Sequence, residues 1–159
     1  MRTASQWLDE YGESHRNPVN KVLHWICVPV IVWCVLGFLW LLPVPFASPP
    51  RAVFDNWAAL IVAGVVIYYA VLSIRLAVGA LILLMTFLWS IDRVQHLALV
   101  PLWGVCTVLF LAAWIGQFVG HAIEGKRPSF LKDVEFLMIG PLWLLAALYE
   151  RLGIAGRRR

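Results

Sequence analysis

WAALIVAGVVIYYAVLSIRLAVGALILLMTFLW, residues 57–89, is almost wholly apolar, with Arg75 near its middle. A hydrocarbon core of about 30 Å takes roughly 20 helical residues, so this stretch is too long for one crossing and suits two. Arg75 is the expected turn, because a cation is costly at mid-bilayer and welcome at its edge. Toward the N-terminus, a further apolar run from about Val22 to Leu42 stops at Pro43, Pro45, Pro49 and Pro50, read as a loop. Toward the C-terminus, a polar link with Asp92, Arg93 and Gln95 precedes the run from Leu97 to Val119. The expected fold is therefore all-α: a polytopic membrane helical bundle with four transmembrane helices, at about 22–42, 57–74, 76–91 and 97–119.

Composition agrees. Of 159 residues 62% are hydrophobic and 14% charged, with nine tryptophans and a mean hydropathy of +0.80, outside the range of soluble domains. One integral membrane domain over 1–159 is expected, with 1–20 as a polar N-terminal segment that lacks the pattern of a removable signal. Cys27, Cys34 and Cys106 lie within apolar runs without paired spacing, which disfavours a disulfide framework or zinc finger. The net charge is +4, and its clustered part is Arg157, Arg158 and Arg159; with no aromatic-laced basic surface it suits lipid headgroups and not nucleic acid. Trp25, Trp40, Trp57, Trp89 and Trp103 near span ends suit interfacial anchoring.

Counting crossings puts the N-terminus, the Arg75 turn and the segment after Val119 on one face. His15, His24 and His121 then meet at one depth. His96 stands about 25 residues before His121, roughly 37 Å of helix, and is excluded from that site. The last apolar stretch, Phe136 to Tyr149, is short and carries Gly140-Pro141. If it crosses, the 13 Lys and Arg divide seven to six; if it does not, they divide eleven to two, with Arg51 and Arg93 on the far face. The positive-inside tendency favours a short re-entrant or interfacial helical segment at 136–149 and both termini in the cytoplasm. The corresponding membrane is the inner membrane of a bacterium or the endoplasmic reticulum of a eukaryote.

Two motifs carry chemistry. In HRNPVNKVLH (15–24), Asn17 is the expected N-cap and Pro18 the first helical residue, placing Asn20 and His24 on one face with His15 free to fold back. In QFVGHAIEGKRP (117–128), Gln117, His121 and Glu124 form a polar stripe on an apolar helix, Gly116 and Gly120 allow another element to approach, and Gly125 and Pro128 end the helix. Three imidazoles with amide and carboxylate neighbours suit Fe(II) or zinc, with Asn17, Asn20, Gln117 and Glu124 orienting the ligands. Lys126 and Arg127 suit either a positive-inside anchor or a clamp for an acidic headgroup. A haem-binding redox protein with His24 and His121 as axial ligands, and a non-enzymatic lipid-binding protein, are the other readings these residues allow.

Together with FLKDVEFLMIGPLW (130–143), the two motifs resemble the membrane family of 2-hydroxy fatty acid dioxygenases known from yeast metabolism of phytosphingosine to odd-numbered fatty acids. The resemblance spans Tyr11 to about Gly153 and rests on His15, Asn17-Pro18, Asn20, His24, Gln117, Gly120 and His121. It implies Fe(II) on His15, His24 and His121 and an O₂-dependent reaction that removes one carbon from a 2-hydroxy fatty acid. Lys126 or Arg127 would then steer the substrate carboxylate.

Overall fold

Apolar helices without a partner sheet bury their surfaces only against one another, and a computed structural model describing residues 4–12, 15–45, 54–97, 99–125 and 135–153 is all-helical. In chain order the described residues form α1 (Ala4–Gly12), α2 (Pro18–Leu41), α3 (Trp57–Leu72), α4 (Ile74–Leu97), α5 (Leu102–Glu124) and α6 (Glu135–Arg151). By length and composition α2, α4 and α5 suffice to cross a membrane, and α3 is a shorter apolar helix. Side chains such as Ile67, Ile82, Val108, Leu111 and Ile115 are exposed on these helices, a surface that hydrocarbon accepts and water does not.

The chain divides into two compact units, Val30–Ala112 and the combination of Met1–Pro29 with Ala113–Arg159. In the first of these, α3 and α4 fold back along each other. Ala58 and Val62 early in α3 share a buried cluster with Leu88 and Ile91 late in α4, joined by Cys34, Leu36 and Cys106. Asn56 caps α3 through the Ala59 N–H. The indole of Trp57 donates to the Pro43 carbonyl at 2.9 Å, tying the start of α3 to the chain just beyond α2.

The break between α3 and α4 falls at Ser73, not Arg75. Ser73 is extended, its N–H bonds the Tyr69 carbonyl, and its own carbonyl accepts from Ala77, so one residue ends one helix and starts the next. Arg75 lies in the first turn of α4. The expected polar link is also helical, because Asp92 pairs with His96 at 3.3 Å in the i, i+4 register and Arg93 lies over Trp89. His96 consequently closes α4 and does not open the next span. That span begins at Leu102, since Pro101 lacks a helical N–H and instead accepts from Val105.

In the other unit, α1 packs along α6. The N-terminal segment read as merely polar thus contains a helix, whose Trp7, Leu8 and Tyr11 are buried while Asp9 and Glu10 face outward. Gly140 makes this packing possible: a Cβ there would stand 2.9 Å from the Tyr11 phenol oxygen. α6 runs unbroken through Pro141. A continuous helix does not double back, so the segment is a single helix and not a re-entrant pair.

Candidate metal centre

The first histidine motif folds locally as its residues dictate. Pro18 opens α2, the Asn17 side chain accepts from the Val19 N–H at 2.9 Å, and the Asn17 carbonyl takes the first helical bond from Lys21. Asn20 and His24 are buried on one face while Val19, Lys21 and Val22 are exposed. His15, between α1 and α2, folds back onto that face and is itself buried.

On α5, Gly116 and Gly120 lie tight against α2. A Cβ at Gly116 would stand 2.7 Å from the Cys27 sulfur, and one at Gly120 would stand 2.5 Å from Asn20 Oδ1 and 3.3 Å from Leu23. This small-residue seam sets the level of the last turn of α5, which carries buried His121. Gly125, at φ 71, then ends the helix in the left-handed region.

His15, His24 and His121 come together. Their ring centroids are 4.2 Å (His15–His24), 5.2 Å (His15–His121) and 5.1 Å (His24–His121) apart. One nitrogen of each lies within 4.8 Å of the others, close enough for all three to hold a single ion. His15 Nδ1 lies 2.7 Å from the Tyr11 carbonyl; a carbonyl only accepts, so Nδ1 carries the proton and Nε2 turns its lone pair toward His24 Nε2, 2.9 Å away. Burial lowers the His15 pKa to about 4, which keeps the ring neutral, the form that binds metals. His24 Nδ1, His121 Nδ1 and Gln117 Nε2 are buried with no hydrogen-bond partner among the described residues. Native interiors rarely leave such atoms unpaired, so these nitrogens stand ready for a bound group or water.

The supporting residues differ in what they touch. Glu124 accepts from the backbone N–H of Arg16 at 2.9 Å and of Asn17 at 2.8 Å, and from the Asn20 amide at 3.1 Å. It thereby fastens the segment that carries His15 to the end of α5, with its negative charge at the α2 N-terminus. Gln117 is buried one turn before His121. Lys126 and Arg127, the candidate clamp for a substrate carboxylate, lie outside the described residues. His96 is exposed on α4, in the other unit.

Sequence reasoning missed two residues at this site. Tyr11 stacks on His15 with centroids 4.3 Å apart and planes at 14°, and Trp143 on α6 lies 5.5 Å from the same ring. The Trp7, Leu8, Tyr11 spacing, one face of a helix, was the available signal for the first. Trp143 had none beyond its place in the apolar run.

Comparison with known proteins shows the family. The family model for 2-hydroxy-palmitic acid dioxygenase Mpo1-like proteins matches residues 1–152. The 2-hydroxy-palmitic acid dioxygenase MPO1 of Saccharomyces cerevisiae is 30% identical over 151 residues, which cover 92% of this chain and 80% of the yeast protein. No solved structure matches. A match of this extent, including the segments that carry all three clustered histidines, shows that the chain belongs to the Mpo1-like 2-hydroxy-palmitic acid dioxygenase family.

Proposed function

We propose that this protein is an Fe(II)-dependent dioxygenase that shortens a 2-hydroxy fatty acid by one carbon at the expense of O₂, with His15, His24 and His121 as the protein ligands. The observation that carries the reading is the buried three-histidine cluster in a chain of a dioxygenase family. A three-imidazole donor set in a chain of a dioxygenase family suits Fe(II). The cluster suits haem less well, because the His15 ring stands beside both His24 and His121.

Fe(II) held by His15, His24 and His121 would supply the redox chemistry by which O₂ oxidises a 2-hydroxy acid. The balance RCH(OH)COOH + O₂ giving RCOOH + CO₂ + H₂O closes without a separate reductant. The chain's own part is to hold three neutral imidazoles, with His15 fixed in one tautomer by the Tyr11 carbonyl, and to shield the site through Tyr11 and Trp143. Lys126 and Arg127 are proposed to draw in the carboxylate, while the acyl chain lies among apolar helices. The domain is proposed to be one integral unit with α2 to α5 crossing, α6 at the interface and both termini cytoplasmic. Incubating the purified protein with 2-hydroxypalmitic acid in air and under nitrogen tests the reaction. The 15-carbon acid is expected in air alone, and equal product under nitrogen would exclude a dioxygenase.

A further inference from the structure

Gln117 is 4% exposed, and its Nε2 is buried without a hydrogen-bond partner among the described residues. An amide in that position costs stability, whereas leucine or methionine would fill the same volume without loss. Its level in the fold is set by the seam between α2 and α5. Gly116 meets Cys27 and Gly120 meets Asn20 and Leu23, so Gln117, between the two glycines, stands level with His24, between Leu23 and Cys27. His121 lies one turn further along α5 on the same side, and Glu124, beyond it, is occupied by Arg16, Asn17 and Asn20. Gln117 is therefore a buried amide donor at the level of His24, one turn of α5 further into the apolar helices than His121.

From this geometry we infer that Gln117 donates a hydrogen bond from Nε2 to the hydroxyl oxygen of a 2-hydroxy acid and is the residue that distinguishes it from an unhydroxylated fatty acid. The inference rests on the proposed function and names the determinant of its substrate class. A fatty acid whose carboxylate faces the membrane surface and whose tail enters the apolar helices brings its second carbon to the hydrocarbon side of its head, where Gln117 stands. A neutral amide among apolar residues suits a neutral hydroxyl, whereas a carboxylate would call for a cation or the metal. Sites built to hydrogen-bond a substrate hydroxyl reject the analogue that lacks it, because the buried donor is left unpaired.

The test compares wild type, Gln117→Met and Gln117→Asn, each iron-loaded in detergent, by iron content, by thermal midpoint with and without 2-hydroxypalmitic or palmitic acid, and by steady-state kinetics. In wild type the hydroxy acid is expected to raise the midpoint well above the rise given by palmitic acid. Gln117→Met should keep its iron, melt no lower than wild type without acid, lose the difference between the two acids and raise KM for the hydroxy acid about tenfold or more. Gln117→Asn, with a shorter donor, should fall between. Undiminished discrimination in Gln117→Met would overturn the inference, as would loss of iron in step with activity, which would make Gln117 a support for the imidazoles. If Gln117→Met does not fold, unchanged discrimination in Gln117→Asn overturns it instead. Wild type that forms no shortened acid would count against the proposed function, whereas an active wild type with an indifferent Gln117 counts against this inference alone.

Discussion

Glu124 lies outside the cluster yet bonds the segment that carries His15. Both of its oxygens are used by Arg16, Asn17 and Asn20, residues more than a hundred positions away in sequence, so removing the carboxylate frees the segment that holds His15. Glu124→Ala should lower iron affinity by about 10- to 100-fold, the range seen when groups supporting a ligand are lost, and destabilise the protein by roughly 1–3 kcal/mol. Iron titration with thermal melting checks both, and an unchanged affinity would contradict the positioning role. The residues in and around the cluster were legible because their relations are local: Asn17, Pro18, Asn20 and His24 obey capping and i, i+4 rules, and Gln117, His121 and Glu124 share a stripe. The partners of Glu124 were not, since two of the three are backbone N–H groups, which leave no mark in a side-chain pattern. Tyr11 was missed for a similar reason, because its carbonyl is what fixes His15.

Among the elements, the seam between α2 and α5 is the one that sets the site. Gly120→Ala would drive a methyl group to 2.5 Å from Asn20 Oδ1 and should destabilise by about 1–3 kcal/mol, as overpacking does, with weaker iron binding because α2 carries His24. Gly64→Ala on α3 has nothing within 4 Å of the new Cβ and should be neutral or stabilise by up to about 1 kcal/mol. Equal losses in the two variants, measured by thermal unfolding, would refute the seam. The apolar lengths disclosed the helices α2 to α5 and their order, but not their ends. Ser73 stops α3 through one extended residue, where the eye goes to the charge at Arg75, and the Asp92–His96 pair prolongs α4 through residues whose polarity reads as a link. Pro141 misled in the other direction, since α6 passes through it intact.

At the scale of the whole molecule, the proposed crossings put the loop before α3 and the link before α5 on the face opposite both termini. Cysteines placed at Phe54 and Leu99, both exposed, should react with an impermeant maleimide from outside the cell, while one at Leu152, also exposed, should react after the membrane is opened. Labelling of Leu152→Cys in intact cells would mean that α6 crosses. The native cysteines are buried and give a low background. The central claim is that histidines from the two ends of the chain hold one iron that the reaction needs. Iron content and air-dependent product are to be measured side by side in wild type, His15→Ala, His24→Ala and His121→Ala. The account predicts stoichiometric iron with the shortened acid in wild type and the loss of both in each variant that still folds; a folded variant that sheds its iron yet makes product at the wild-type rate would contradict it.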